Sequence, residues 1–301
     1  MTPSDCIRRR HAVLYVLLGV VLATMLGGYR LMLFEHLPFY FNDPHEDLSY
    51  AWFVPFFSLY VVWRERRELA ESLGEPSAWG FLPLLPSLFL GYIGARGGQV
   101  RFEIVGFIGT LGSLVWIFFG LKALKRLAFP LAFLLFCLPL HSFLDLITIH
   151  LRSLAVGVSY AVMRGAGVEV VRQGTMLFQP DGFQIDVADP CSGLRSLFAM
   201  MALTAGYAYF NLPTWPRRFA LFALSVPIAV FGNVCRILSI VFTAAFCSAD
   251  FATGFYHDYS GYVVFLVAIS LMVACGSWLA PNRAETPAKT TSGRQQEPSA
   301  E

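Results

Sequence analysis

Eight apolar stretches, each close to the length of a membrane-crossing helix, constrain this chain of 301 residues more than any other feature of its sequence. A helix needs about 20 mostly apolar residues to cross the hydrocarbon core of a bilayer. Charged residues make up 14% of the chain, against roughly 25% in soluble domains. We therefore predict an all-α polytopic membrane protein with about eight transmembrane helices. The predicted spans are Ala12 to Phe34, Leu48 to Trp63, Ala78 to Ala95, Ile104 to Leu121, Leu127 to Ile149, Leu194 to Phe210, Phe219 to Phe246 and Tyr259 to Ala280.

The basic residues fall in short clusters that predict the orientation of these spans. Lys and Arg are enriched in cytoplasmic loops, and an even number of crossings puts both termini in the cytoplasm. The predicted organisation is a cytoplasmic N-terminus (1–11), a transmembrane domain (12–280) and a disordered cytoplasmic tail (281–301) rich in Ser, Thr, Gln, Glu and Pro. Scattered clusters of this kind do not indicate nucleic-acid binding. The clusters are Arg8 to Arg10; Arg64, Arg66 and Arg67; Lys122, Lys125 and Arg126; Arg217 and Arg218; and Arg283.

The segment between the fifth and sixth predicted spans is the one sizeable part expected outside the membrane. Apolar residues recur at helical spacing over 151–164, which predicts a small helix lying along the outer interface. A second interpretation, in which this helix crosses the membrane, would invert the orientation of everything after it. Alternating residues around Pro180-Asp181-Gly182 predict a β-hairpin over Glu169 to Asp189, directly before the sixth span.

Cys191 differs from the other five cysteines, which lie mostly inside apolar runs and show no disulfide or zinc spacing. It follows Pro190 and precedes an apolar run that starts after Gly193, so it is expected near a helix N-terminus. The helix dipole there, together with Arg195 four residues later on the same face, favours a reactive thiolate. The alternative interpretation is a structural cysteine at a tight turn.

Arg236 and His257 are the two other residues that we expect at the outer face. Arg236, with Asn233 on the same helical face, interrupts an apolar span and could donate hydrogen bonds to a developing oxyanion. His257 precedes the last span and could act as general base and then acid. The alternatives are an arginine that snorkels to the interface and a histidine that anchors it among tyrosines. With Cys191, the two residues predict a constellation for acyl transfer.

Three further hypotheses use other residues or another class of function. His141, Asp145 and His150 could form a metal or proton-relay site. Of these, His141 and Asp145 share a helical face by their four-residue spacing, but two ligands without a third make a weak metal site. Ser192 with His257 could serve a serine protease, although Ser192 lacks a Gly-x-Ser-x-Gly setting. A transporter could use Arg236 and Asp145 as ligands, but no internal repeat is visible. A lipid-linked glycan enzyme would need paired outer carboxylates, and none is evident.

The motifs at these residues are similar to those of the exosortase/archaeosortase family of polytopic membrane cysteine transpeptidases. The family's Cys-Ser-Gly-Leu motif matches Cys191 to Leu194, its Asn-x-x-Arg-Ile motif matches Asn233 to Ile237, and its third catalytic position, a histidine in exosortases, matches His257. Asp47 to Pro55 resembles an N-terminal motif of the family, with Tyr50-Ala51-Trp52 where many members have a Ser-His-Gly-like run.

The resemblance implies an enzyme of the bacterial cytoplasmic membrane whose partners are membrane lipid and exported proteins with a C-terminal sorting signal of the PEP-CTERM type. Cys191 would attack a peptide carbonyl to form a thioester, His257 would transfer protons and Arg236 would steady the oxyanion. Asn233, Arg195 and Ser192 would bind substrate or support these groups. The chemistry requires no nucleotide, metal or organic cofactor, and both water and an acceptor nucleophile remain open as the group that resolves the thioester.

Overall fold

The computed structural model describes residues 19–21, 23–43, 48–178, 184–186, 194–247 and 251–280, with backbone alone for 141–148, 184–186, 194–195, 253 and 257–258. The predicted N-terminal segment 1–11 and tail 281–301 lie outside the described residues. The helices are α1 (Gly19–Gly28), α2 (Leu37–Asn42), α3 (Phe53–Arg64), α4 (Arg66–Glu71), α5 (Phe81–Gly97), α6 (Val100–Phe133), α7 (His141–Gly165), α8 (Leu194–Asn211), α9 (Trp215–Phe246) and α10 (His257–Leu279). The strands are β1 (Val171–Gln173), β2 (Met176–Phe178) and β3 (Gln184–Asp186).

Helices long and apolar enough to cross a membrane confirm a polytopic helical fold, but not the predicted count of eight spans. Among the described residues, α3 with 12 residues and α8 with 18 residues are not candidate spans, although the sequence predicted both to cross. Helix α1 and Met32–Asn42, which are bent by 57°, make a further candidate if they are taken together. The four segments that meet the requirement singly are Ala78–Gly97, Val100–Cys137, Trp215–Phe246 and Gly254–Leu279.

Helix α6 consists of two arms that fold back on each other at Gly120. Gly120 has φ 81° and ψ 173°, and a positive φ of this kind favours glycine. Near the start of α6, Arg101 Nε donates a 2.8 Å hydrogen bond to the carbonyl of Pro139, which lies beyond the end of the helix. A straight helix would separate these two residues by about 57 Å. The arms 100–119 and 121–133 must therefore run antiparallel.

The predicted fifth span, Leu127 to Ile149, is wrong as a continuous helix. Helix α6 ends at Phe133, and α7 begins only at His141. Leu138, between them, is extended with φ −72° and ψ 127°. The cause is Pro139, because a proline disfavours the helical conformation of the residue before it. Because the sequence stays apolar on both sides of this break, its composition did not reveal the break.

Helix α7 includes the predicted interfacial segment 151–164 within one helix of 25 residues. One face, with Val156 and Met163 fully buried, packs in a cluster with α9. The side chains of Leu154, Val158 and Val162 remain 55%, 42% and 44% exposed. An exposed apolar face of this kind is what a helix at a membrane interface presents, and α7 is not among the four candidate spans.

Three short antiparallel strands follow α7, one more than the predicted hairpin. The unpredicted turn joins β1 to β2 at Gly174, which has φ 66°, while the predicted turn around Pro180-Asp181-Gly182 lies outside the described residues. Leu177 of β2 is fully buried among side chains of α7 and α9. Arg172 of β1 donates a 2.8 Å hydrogen bond to Ser153 Oγ of α7. These contacts attach the sheet to the two helices.

Four clusters of buried apolar side chains hold the fold together, and neighbouring clusters share helices. The first joins α1, α2 and the first arm of α6, and the second joins α2, α3, the second arm of α6 and α8. The third joins α8, α9 and α10, and the fourth joins α7, the sheet and α9. Helix α8 therefore links the N-terminal helices to α9 and α10.

Candidate functional site

The three helices that carry the predicted catalytic motifs pack directly against one another. A link of three residues, 212–214, joins α8 to α9 and makes them antiparallel neighbours. A Cβ added to Gly232 of α9 would lie 3.4 Å from Val264 and 3.7 Å from Ala268, both on α10. These short distances place α9 and α10 in direct contact at Gly232.

One residue from each helix meets the others in a single layer, formed by Tyr207 of α8, Leu221 of α9 and Gly276 of α10. The helices run alternately up and down, so distances along their axes can be compared from this layer. At 1.5 Å per residue, the axial distance from this layer is about 20 Å to Leu194, about 22 Å to Arg236 and about 28 Å to His257. All three residues lie in the same direction from the layer. We call the end of the bundle that holds these three residues the site end.

Arg236 lies half-buried on α9 and contacts the first turn of α10. Its Nε donates a 3.4 Å hydrogen bond to Ser260 Oγ. A Cβ added to Gly261 would lie 3.4 Å from Arg236 Cζ. The guanidinium therefore rests against the backbone of α10 at a position where the chain has no side chain.

His257 is the first residue of α10 and directly follows a π-helical turn, Ala252–Tyr256. Within that turn Gly254 departs from helical geometry with φ −94° and ψ −109°. Ser260 and Gly261, which hold Arg236, lie three and four residues after His257 and so share its helical face. The side chain of His257 lies outside the described part of the structure.

The described part of helix α8 runs over Leu194–Asn211, which matches the predicted sixth span, Leu194 to Phe210. Cys191 and Ser192 lie outside the described residues, at most three positions before this helix. Arg195 is in its first turn, with only its backbone described. The structure thus brings the start of the helix that follows Cys191 to the same end as Arg236 and the backbone of His257, and gives no distance between the side chains of Cys191 and His257.

Asn233 occupies the turn of α9 before Arg236 and is half-buried. Val234 and Ile237, on another face of the same turns, are buried in the cluster with α7 and the sheet. Helix α9 is thereby fixed through its apolar face, while Asn233 and Arg236 share a different face by their three-residue spacing.

Two residues near this site were not predicted as part of it. Ser260, which accepts the Arg236 hydrogen bond, could have been found from its position one turn after His257. Tyr50 donates a 3.2 Å hydrogen bond to the carbonyl of Phe136 and stacks on Phe198 of α8, with ring centroids 6.5 Å apart. Its place in the N-terminal motif was a signal, but its contact with α8 depends on the tertiary fold.

Three of the five basic clusters, those on α3 and α4, on α6 and on α9, contribute residues at the opposite end of the bundle. Arg64, Lys125, Arg126 and Arg218 line one cavity there, although they come from α3, α6 and α9. Arg218 and Arg236 are both on α9, about 27 Å apart along its axis. We call this the basic end, and its separation from the site end is close to the roughly 30 Å of a bilayer hydrocarbon core.

The lesser metal or relay candidate is only partly described. The side chains of His141 and Asp145 lie outside the described residues, and His150 is exposed on α7. No group of three His, Cys, Asp or Glu side chains comes together where side chains are described. The hypothesis gains no support from these residues.

Comparison with known proteins gives one match. A family model for transmembrane exosortases matches residues 40–274. That range covers most of the 301 residues and includes Cys191, Arg236 and His257. No curated protein matches the chain, and no solved structure matches it.

Proposed function

The chain belongs to the transmembrane exosortase family, and on this premise we propose that it is a membrane-embedded cysteine protease/transpeptidase. Its substrates would be exported proteins that carry a C-terminal sorting signal similar to PEP-CTERM. The coarser conclusion, a multi-pass membrane protein of this family, rests on the family match and on the membrane-spanning helices.

The observation that carries the proposal is the meeting of three sequence-distant elements at the site end. The start of α8, Arg236 on α9 and the first residue of α10 lie at one end of a packed bundle. Acyl transfer needs a nucleophile, a proton carrier and an oxyanion donor at one place. Cys191, His257 and Arg236 are the residues that would fill these roles.

In the proposed reaction the Cys191 thiolate attacks the carbonyl carbon of the scissile peptide bond, after His257 has accepted the thiol proton. The tetrahedral intermediate collapses to a thioester as the C–N bond breaks, and His257 returns the proton to the leaving amine. Water or an acceptor nucleophile then attacks the thioester, which releases the Cys191 thiol. No cofactor takes part in these steps.

Arg236 would stabilise the negative charge that develops on the carbonyl oxygen. Its contact with Ser260 supports this role, because a guanidinium held in one orientation needs less rearrangement in the transition state. Asn233 would support Arg236 from the preceding turn. Arg195, in the first turn of α8, would favour the Cys191 thiolate, and Ser192 would lie beside the nucleophile.

We propose that the site end faces the outside of the bacterial cytoplasmic membrane and the basic end faces the cytoplasm, with both termini cytoplasmic. The gathering of Arg64, Lys125, Arg126 and Arg218 at one end supports this orientation, because Lys and Arg mark cytoplasmic loops. A translocated substrate would then present its cleavage motif on the side of Cys191.

The test is processing of a reporter that ends in a motif, an apolar helix and a basic tail, in cells that express the wild type or a variant. We expect Cys191→Ala to accumulate full-length reporter at normal enzyme abundance. Cys247→Ala is the matched control, because Cys247 is an exposed thiol at the same end of α9, and it should process normally. Normal processing by Cys191→Ala would overturn the proposal and favour the Ser192 hypothesis, which Ser192→Ala then tests.

A further inference from the structure

We propose that the cavity at the basic end binds one anionic phospholipid, with the phosphate among the basic side chains and an acyl chain along the apolar wall. The cavity has a volume of about 850 Å³ and lies between α3, the second arm of α6, α8 and α9. Its size is within the range of small-molecule sites. This inference does not depend on the proposed function of the site end.

The mouth of the cavity carries an excess of positive charge. Its cationic side chains are Arg64, Lys125, Arg126 and Arg218, against the carboxylates of Glu65 and Glu68. Arg126 pairs with both carboxylates, at 3.6 Å from Glu65 Oε2 and in contact with Glu68. The Tyr209 hydroxyl also donates a 2.7 Å hydrogen bond to Glu65. Four cations against two carboxylates leave a net positive formal charge at the mouth, which favours an anionic ligand.

Arg218 is held in an orientation that suits a phosphate group. Its Nε donates a 2.8 Å hydrogen bond to the carbonyl of Leu212, and its Cζ lies 5.1 Å from the Tyr209 ring centroid and 5.7 Å from that of Trp215. Over the described part of the chain, the other N–H groups of Arg218 and the Lys125 ammonium have no hydrogen-bond partner. A planar guanidinium binds phosphate through paired hydrogen bonds, and a lysine adds a point charge.

The wall of the cavity is apolar and continues from the basic mouth toward the middle of the bundle. Lys125, on the second arm of α6, and Phe136, just beyond the end of that arm, mark the two ends of the wall and are about 16 Å apart along the chain axis. This is about half of the roughly 30 Å hydrocarbon core, the depth of one leaflet. The wall is lined by Ala128, Phe129, Ala132 and Phe133 of the second arm and by Phe136 just after it.

The arrangement of a charged mouth and an apolar wall matches a phospholipid better than a soluble anion or a peptide. A soluble phosphate or nucleotide would leave the apolar wall uncovered, and a basic peptide would meet like charge at the mouth. Cytoplasmic leaflets contain anionic lipids, which attract basic side chains near the surface by about 1 kcal/mol each. An anionic lipid satisfies both the charged mouth and the apolar wall.

The experiment uses quenching of Trp215, which lines the cavity, by brominated acyl chains. The full-length protein is placed in phosphatidylcholine vesicles that contain brominated phosphatidylglycerol or brominated phosphatidylcholine, and Trp215→Phe identifies the signal of Trp215. We expect quenching at lower amounts of the anionic lipid than of phosphatidylcholine. The double variant Lys125→Gln/Arg218→Gln should reduce that preference roughly tenfold or more.

A matched control removes two charges from the same end but outside the cavity, in Arg67→Gln/Lys122→Gln, and should keep the preference. Lys125→Gln alone tests the proposal if Arg218→Gln prevents folding, because Lys125 makes no hydrogen bond in the described residues. Ala132→Phe, which narrows the wall without adding a second tryptophan, should reduce the preference for the anionic lipid at Trp215. Equal quenching by both lipids, displacement by inorganic phosphate or a Lys-rich peptide, or equal losses in both double variants would overturn the proposal.

Discussion

Arg236 on α9 donates a hydrogen bond to Ser260, which lies one turn after His257 on α10. The contact joins the proposed oxyanion donor to the helix that begins with the proposed general base. Gly261 beside Ser260 leaves the space in which the guanidinium lies. The relative position of Arg236 and the start of α10 therefore depends on the packing of α9 against α10 rather than on a flexible loop.

Replacing Arg236 should reduce processing far more than replacing its partner. We expect Arg236→Ala and Arg236→Lys to lose about 10² to 10³ in rate, because a lysine cannot reproduce a planar fork of donors. Ser260→Ala removes the hydroxyl that accepts the hydrogen bond from Arg236 Nε and should lose only about fivefold. The measurement is the initial rate of reporter cleavage at matched enzyme abundance. A loss in Ser260→Ala as large as that in Arg236→Ala would mean that Ser260 acts on the substrate itself.

Side chains of increasing size at Gly261 should displace the guanidinium in a graded way. The Cβ of Gly261→Ala would be 3.4 Å from Arg236 Cζ, an ordinary contact, so we expect nearly normal processing. Gly261→Leu has no room there and should lower processing by at least about tenfold without lowering abundance, because the displaced group is the end of a flexible side chain. Equal activity of both variants would show that Arg236 does not need this position.

Helices limited by length and apolarity were predictable, whereas a helix break inside an apolar run was not. The spans at α5, α9 and α10 agree with the sequence because a bilayer sets their length. The reversal between the fourth and fifth predicted spans, marked by the basic residues Lys122, Lys125 and Arg126, agrees with the fold-back at Gly120. The break before Pro139 lies within apolar sequence, where a backbone change leaves little trace in composition. A third strand and a second turn at Gly174 were also missed, since three-residue strands show too few alternations.

For the candidate site, too, one part was predictable from the sequence and another part was not. Motif spacing and topology could suggest Cys191, Arg236 and His257 as one group, since each is expected at the same membrane face. The partner Ser260 and the stacking of Tyr50 on Phe198 depend on how α8, α9 and α10 pack and on the fold of the N-terminal half. Those contacts join residues far apart in sequence, so local patterns carry no information about them.

A methyl group at Gly106 should destabilise the contact between α5 and α6. Its Cβ would lie 2.7 Å from the carbonyl oxygen of Ser87 and 2.5 Å from the amide nitrogen of Gly91. Both are backbone atoms that cannot turn aside, so we expect Gly106→Ala to lower the free energy of unfolding by about 2–3 kcal/mol. Gly97→Ala, whose Cβ meets nothing closer than 4.0 Å, is the control and should be neutral or slightly stabilising. Thermal unfolding in detergent micelles measures both.

The last prediction concerns His36 and Glu103, which join the bent N-terminal helices to the start of α6. Glu103 is buried at 3% exposure, and its Oε1 lies 3.0 Å from His36 Nδ1. His36→Leu would remove a hydrogen-bond partner from a buried carboxyl group and should lower the free energy of unfolding by about 1–3 kcal/mol.

The double variant His36→Leu/Glu103→Leu distinguishes this coupling from a general loss of packing. If the two groups are partners, the double variant should be less destabilised than the sum of the two single variants, since it leaves no buried polar group without its partner. Glu35→Gln, at an exposed neighbouring position, controls for the charge change at the bend and should unfold like the wild type. Strictly additive losses, measured by thermal unfolding in the same micelles, would show that the contact does not stabilise the bend.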